Sequence, residues 1–494
     1  MTELDKTRKV ESIYRCVVCE GALREDGPLD QMCSNCGAGY PEIAGIKIMV
    51  LDPQALLLAH AQQIADRSLE LRRRQDWLAR IEQEPVSDES LFRLKQDYES
   101  KLANHELAKE FFAPVSDYLA RHQSQKSFLR LLTSYHTGWS FEVMTPWFYK
   151  DWGDTEEARF VTKLLSDAIL DHTRGERESI AVLGCGACGM LYNLSEFFTN
   201  SYGIDLSLLT MLFAKQLLDG GEYVLNLSLP DETFPKMQRQ IRLRGPRERR
   251  ESVKLLAANI TNMPFAPSSL SCVVTQYMMN LVTNQSLLAT EINRALAPGG
   301  VWINFSTPGS PNAFDVPTHL DLPWYFKRHG FEALDSSLQR CKLLDFTKIC
   351  NWSVTTEHGN MLFAARKTGS VIEESRHRFS EYFGGHGNSI LSSHPGLTSR
   401  YSISMSDKKL FALGGIRDSK VVEIEAWNGY SLLKGAAPTE AVTFLNSLLP
   451  LLDGSRELRQ IVSALQKEFG DAISEREIVM FLNSLKDMGV IALG

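Results

Sequence analysis

Apolar and polar positions along this chain change their period several times, and each change marks a change of element. Between Pro53 and about Gln125 the apolar residues Leu56, Leu57, Ala59 and Ile64, then Leu91, Leu94, Tyr98 and Leu102, recur at helical spacing among many charges. The break Glu84-Pro85-Val86-Ser87-Asp88 predicts two helices, with Ser87 or Asp88 capping the second. Such helices suit either a cap over a neighbouring site or a spacer. From Ser179 the pattern becomes short apolar runs separated by helical segments. Ile180 to Leu183, the run ending Gly203-Ile204-Asp205, Leu255 to Ile260, Ser271 to Tyr277 and Val301 to Asn304 predict buried strands. Strands alternating with helices imply an α/β fold with a largely parallel sheet. Phe331 to Leu334, a mixed segment to Thr356, and Met361 to Lys367 read as a last helix and closing antiparallel strands.

The pattern divides the chain into residues 1–50, a helical segment 51–140, a catalytic-type α/β domain 141–368, a linker 369–398 and a separate unit 399–494. The linker is polar and contains Gly384-Gly385-His386-Gly387-Asn388-Ser389. In the last unit, Tyr401 to Met405 and Val421 to Glu425 read as strands. Ala441 to Leu452, Leu458 to Phe469 and Glu475 to Met488 read as helices.

The chemistry starts at Gly184-Cys185-Gly186-Ala187-Cys188-Gly189, directly after the first α/β strand. Glycines there let the backbone turn sharply and approach a ligand, and Asp205, closing the next strand, is placed to accept hydrogen bonds from ribose hydroxyls. An ordinary strand-to-helix turn would also use glycines; the carboxylate after the second strand favours a nucleoside cofactor.

Further along come Asn259-Ile260, the turn Met263-Pro264-Phe265 and the turn Pro298-Gly299-Gly300 into Val301-Trp302-Ile303-Asn304. This succession resembles the class I S-adenosylmethionine methyltransferases, making a nicotinamide cofactor the less favoured class. Lys150-Asp151-Trp152-Gly153 with Glu157 and Arg159 is similar to the "RDWS…ER" segment of the carnosine N-methyltransferase-like family. Gly300 to Asn304 matches its "GGxWIN", and Val274 to Asn280 lies on its "VTCFFID". The similarity runs from about Trp147 to Lys367 and departs at Asn280, where the family has an acid, and at Phe305-Ser306-Thr307-Pro308, where it has "GPLLYH".

The resemblance implies a Rossmann-like seven-stranded core and methyl transfer by direct displacement. It assigns Gly184, Gly186 and Gly189 to the cofactor turn, Asp205 to the ribose, Asn259 with Ile260 to the adenine, Gln276 to a position beside the cofactor and Arg159 to the methionine carboxylate. Candidates for orienting the methyl acceptor, a peptide or a histidine-like or amine substrate, are Asn280, Tyr325 and His319, with His329 in the same loop region. No base is assigned.

Nine cysteines change the picture at the N-terminus, where Cys16-Val17-Val18-Cys19 and Cys33-Ser34-Asn35-Cys36 pair two CxxC knuckles. Four thiolates from such knuckles suit a closed, structural Zn²⁺ site without chemistry of its own. The run through Tyr40-Pro41 to Met49 also resembles small zinc ribbons fused to or partnered with methyltransferases. Cys185 and Cys188 form a third CxxC, read as small residues in a crowded loop; Cys272, Cys341 and Cys350 read as core residues.

Length, 494 residues, implies several domains, and 44% hydrophobic with 23% charged residues is globular. Net charge −7 gives no global attraction to nucleic acid or anionic membrane. No apolar run reaches membrane-spanning length and the first residues lack a signal-type apolar core, so a cytoplasmic location is expected. The insert Gly220 to Lys254 carries an arginine-rich run from Lys236 to Arg250, read as a solvated loop. An RNA-modifying methyltransferase using that run is the alternative, and a non-catalytic peptide-binding scaffold is another. The tail, through Leu448 to Arg456 and Leu485 to Ile491, resembles the winged-helix precursor-peptide recognition domains of ribosomal peptide modification, implying a precursor peptide as partner. A dimerisation or DNA-binding winged helix fits the same helices.

Overall fold

The computed structural model describes residues 13–26, 30–122, 141–173, 175, 177–229, 237–282, 285–306, 322–344 and 354–369. In the C-terminal part it describes 402–405, 416–417, 420–421, 443–444, 447–470, 473, 478, 482 and 491–493. His319, Cys350 and the linker from 370 onward lie outside the described residues.

A nine-stranded mixed sheet carries the fold, in the order β13-β14-β12-β11-β6-β7-β10-β5-β4. Its centre is β6 (Ser179–Leu183), flanked by β7 (Asn200–Asp205) and β11 (Leu270–Gln276), with β10 (Val253–Ala258) and β12 (Leu296–Ser306) outside them. These five strands are parallel, whereas β13 (Phe331–Leu344) and β14 (Val354–Lys367) close one edge antiparallel. Every residue of β6 is buried, as expected of a strand covered on both faces. The sheet grows away from β6 in one direction through β7 and β10, and in the other through β11 and β12. The strand order therefore reverses between β6 and β11, the switch point at whose carboxyl ends open α/β sheets hold ligands.

The opposite edge departs from the seven-stranded expectation. Strand β5 (Ile46–Met49) pairs in parallel with β10, and β4 (Glu42–Ile43) pairs with β5, so the N-terminal cysteine region extends the sheet. Its small sheet, β1 (Leu23–Asp26), β2 (Asp30–Cys33) and β3 (Gly39–Tyr40), leads directly into these strands. Arg15, 5% exposed, fixes the junction: Nε donates to the Phe265 carbonyl at 3.1 Å and Nη2 to Glu291 Oε1 at 3.2 Å.

Helix α1 (Pro53–Ile81) and α2 (Asp88–Arg121) follow the sequence pattern, and Ser87 caps α2 by accepting the Ser90 N–H at 3.3 Å. Next come α3 (Phe141–Trp152) and α4 (Glu156–His172), then α5 (Gly189–Leu194) and α6 (Leu208–Leu218) around β7. The arginine-rich run is a loop only from residue 245 on. Before that the insert forms a hairpin of β8 (Glu222–Leu229) and β9 (Met237–Arg244), because Leu225, Leu227, Ile241 and Leu243 alternate with the polar positions and pack into the main core. Asn104 of α2 pins this hairpin, donating to the Asn226 carbonyl at 2.7 Å and accepting its N–H at 2.9 Å.

Helices α7 (Gln285–Ala295) and α8 (Leu322–Arg328) complete the described α/β unit. In the tail, β15 (Ser402–Met405) lies between β18 (Asp453–Glu457) and β19 (Ile491–Leu493), antiparallel to both. A two-residue pair, β16 (Ile416–Arg417) with β17 (Lys420–Val421), precedes α9 (Leu458–Phe469). Asp453 to Glu457 thus form a strand between the two stretches that the pattern reads as helices. No described helix is long and apolar enough to cross a membrane.

Candidate functional site

The turn after β6 lies at the carboxyl end of the switch point between β6 and β11. Gly186 adopts φ +51°, and a side chain there would meet no atom within 4 Å, so its backbone faces open space. Gly189 is closed instead: a Cβ would lie 2.6 Å from the Asp151 carbonyl oxygen. One glycine leaves room for a ligand, and the other lets α5 start against α3.

Asp205 bridges the turn to the next loop, accepting the Gly186 N–H on Oδ2 at 3.0 Å and the Ser207 N–H on Oδ1 at 2.8 Å. Burial raises its pKa, opposed by these backbone donors. An ionised carboxylate has about four lone-pair sites, so these backbone donors leave it capacity for a ligand hydroxyl. Asn259, just past β10, is partly buried, and its Oδ1 holds the Thr261 N–H and hydroxyl at 3.0 and 2.9 Å. That turn leaves the amide nitrogen as the donor toward a base edge; Ile260 beside it is buried. Gln276 ends β11, partly buried. The residues present fit a nucleoside cofactor: an open backbone turn, a carboxylate on the next strand and an amide on the one beyond.

Other sequence candidates are placed elsewhere. Arg159 is exposed on α4, its guanidinium on Asp154. Tyr325 is 2% exposed, with its hydroxyl donating to the Gln285 carbonyl at 2.9 Å and its ring 4.5 Å from that of His329, itself buried. Asn280 sits in the single turn Met279–Leu281, and its side chain is outside the described residues.

The end of α3, marked in the sequence by its family resemblance alone, makes contacts that the sequence did not assign. Asp151 Oδ2 accepts the Gly189 N–H at 3.1 Å, and Trp152 Nε1 donates to the Ala187 carbonyl at 2.8 Å, so consecutive residues clamp the turn. Lys150 turns the other way. Its ammonium lies 2.8 Å from Glu157 Oε1, with both side chains 4% exposed, and 3.8 Å from the centre of the Tyr277 ring. The Tyr277 hydroxyl donates to the same Glu157 oxygen at 3.4 Å. Tyr277 follows β11 with φ +51°, a conformation bulky residues adopt only when the surroundings impose it, as at functional sites. The segment Lys150 to Glu157 carried the family resemblance, but no period shows which helix face meets the turn.

The two remaining clusters have structural chemistry. The sulfurs of Cys16, Cys19, Cys33 and Cys36 all lie within 4.8 Å of one another, with Cys16 to Cys36 at 3.6 Å and Cys19 to Cys33 at 3.5 Å. Disulfide sulfurs would be about 2.05 Å apart, whereas ligands about 2.3 Å from a tetrahedral zinc have edges near these spacings. Backbone N–H groups of Val18 and Asn35 point at Cys16 and Cys33 at 3.4 Å, supporting thiolate charge. The donor set fits Zn²⁺ with no position left for substrate. Cys185 and Cys188 are buried with sulfurs 3.5 Å apart; their mutual hydrogen bond, then burial, push the Cys185 thiol up, so it fills space as a neutral group.

Comparison with known proteins gives the enzyme class. A family model described as "Methyltransferase domain" matches residues 212–304, from α6 to β12. The chain is an S-adenosylmethionine-dependent methyltransferase. No curated protein matches this methyltransferase. Among solved structures, it is similar to a chain of the complex between the Haloferax volcanii Trm112 methyltransferase activator and a methyltransferase: 13% identity, 46% of this chain and 96% of that one, TM-score 0.32. It is also similar to the N-methyltransferase NodS from Bradyrhizobium japonicum: 13% identity, 44% and 99% coverage, TM-score 0.30.

Proposed function

We propose that this methyltransferase acts on a nitrogen, in an amine or histidine-like side chain of a peptide, and that its C-terminal part holds that peptide. Bound S-adenosylmethionine supplies an activated methyl on a sulfonium, so the protein's task is to orient the acceptor and exclude water. Gly184, Gly186 and Gly189 form the turn for the cofactor, Asp205 serves the ribose, and Asn259 with Ile260 borders the base.

The observation that carries the acceptor reading is the buried Lys150–Glu157–Tyr277 cluster at the end of β11. The Tyr277 hydroxyl donates to Glu157, and a phenol oxygen is by its chemistry also an acceptor for an N–H. A nitrogen that donates one hydrogen to Tyr277 has its own lone pair turned to the methyl. The ion pair fixes Glu157 in a dry setting, and Glu157 holds the phenol in register. The carnosine N-methyltransferase-like resemblance supports nitrogen, and the tail's resemblance to precursor-recognition domains supports a tethered peptide. Arg242 and Arg244 of the hairpin pair with Glu222, and Arg249 beyond it pairs with Asp219. They therefore lend no support to an RNA substrate.

The test is methyl transfer from labelled S-adenosylmethionine to histidine-containing, amine-containing and RNA substrates, with the product located by fragmentation mass spectrometry. Label on a peptide nitrogen, reduced at least tenfold by Tyr277→Phe, supports the reading. Label on oxygen, carbon or RNA alone contradicts it.

A further inference from the structure

The long helix α1 reaches the cofactor loop through one buried side chain. His60 is 1% exposed, and its Nε2 lies 3.2 Å from both the Leu208 N–H and the Leu206 carbonyl oxygen. These atoms belong to the tight turn that follows Asp205 and opens α6. Leu208 is the first residue of α6, and the N-cap residue, Ser207, makes no side-chain capping bond to that helix backbone. Its hydroxyl is turned to Thr210 Oγ1 at 2.7 Å. Locally the Leu208 N–H closes an inverse γ-turn on the Leu206 carbonyl at 2.9 Å, with Ser207 at φ −76° and ψ 82°, and His60 adds a second contact to the same turn from a site 148 residues away in sequence.

We infer that His60 is a positioning residue for cofactor binding, and that the α1–α2 arm is part of the methyltransferase site rather than a spacer. The chain of contacts is short. His60 braces Leu206 to Leu208; the Ser207 N–H within that turn holds Asp205 Oδ1 at 2.8 Å; and Asp205 Oδ2 holds the Gly186 N–H at 3.0 Å. Depending on its tautomer, the imidazole accepts from Leu208 or donates to Leu206, and either bond restrains the turn. Without it, the peptide plane presenting the Ser207 N–H is freed, and the carboxylate loses a defined direction toward the ribose. Ordering the turn then becomes a cost of binding cofactor, not of folding. This inference rests on the Gly186–Asp205 turn being the cofactor site, which the unaltered protein tests separately.

The test pairs two variants of similar volume. His60→Met fills the space without a hydrogen bond, while His60→Gln brings an amide that can both accept from Leu208 and donate to Leu206. Calorimetric titration with S-adenosylmethionine and its demethylated product, thermal unfolding, and kcat with the cofactor KM are measured on the full chain. Losing one capping-type bond predicts a Kd and a cofactor KM raised about fivefold in His60→Met, with kcat at saturation unchanged and the Gln variant near the unaltered protein. A folded His60→Met with unaltered affinity overturns the inference. So does a Gln variant as impaired as the Met one, or equal losses in kcat and affinity, which would mark His60 as structural alone. Failure of the unaltered protein to bind either nucleoside would overturn the cofactor site itself.

Discussion

The Asp151 carboxylate accepts the Gly189 N–H at 3.1 Å and so ties the end of α3 to the cofactor turn across 38 residues of sequence. Burial raises its pKa to about 6, with the Gly189 bond and Lys150 acting against that rise. In the unfolded chain an aspartate titrates near 3.9, so between about pH 4 and 6 the native state keeps a proton the unfolded chain has lost. This group's contribution therefore favours folding below pH 4 and is lost as pH rises to 6. Asp151→Asn retains an acceptor for Gly189 and removes the titration. Its stability relative to the unaltered protein should climb by on the order of 1–2 kcal/mol from pH 4 to 6 and then level off, as read by denaturant unfolding across that range. A flat difference would contradict the burial of the charge.

Lys150 and Glu157 stand or fall together. Lys150→Met leaves a buried carboxylate uncompensated and should cost about 3–5 kcal/mol. The double change Lys150→Met with Glu157→Leu should recover most of that stability while leaving methyl transfer impaired, since Tyr277 then loses its brace. Urea unfolding of the single and double variants, with turnover at saturating substrate, checks both halves.

One zinc per chain is expected on Cys16, Cys19, Cys33 and Cys36, and its binding energy is folding energy for that region. Because β5 continues from this region into the sheet beside β10, stripping the metal should lower the thermal midpoint of the methyltransferase core as well. Elemental analysis and calorimetry of chelated protein read this. Zinc content unchanged in Cys33→Ser would remove the assignment.

How far the sequence already showed this structure depends on the kind of signal. The Gly184 to Gly189 turn and Asp205 were legible because backbone conformation restricts which residues can stand there. The four cysteines were legible because metal coordination demands their spacing. Strand β5 was not, since nothing in Ile46 to Met49 says that its edge meets Leu255 to Ala258 and not a ribbon strand. Nor was the β8–β9 hairpin, whose alternate leucines are masked by arginines. His60 was missed, and Lys150 was named for its family resemblance without a contact, because tertiary placement alone gives them work: each lies in a helical pattern that assigns it no partner.

The tail bears on how substrate arrives. If residues 399–494 tether a precursor, the acceptor residue is presented at an effective concentration of roughly millimolar. Deleting them should raise KM for the full precursor severalfold while leaving turnover on a short core peptide nearly unchanged. Equal loss on both substrates would assign the tail to folding or assembly.

The central claim is that the turn after β6 and the carboxylate ending β7 bind S-adenosylmethionine, and calorimetric titration tests it most directly. The unaltered chain should bind S-adenosylmethionine or its demethylated product and not NADH. Asp205→Ala should weaken that binding by about 1.5–3 kcal/mol, the worth of a hydrogen bond to a charged acceptor. Tight binding of NADH with none of S-adenosylmethionine, or an Asp205→Ala variant with unaltered affinity, would contradict it.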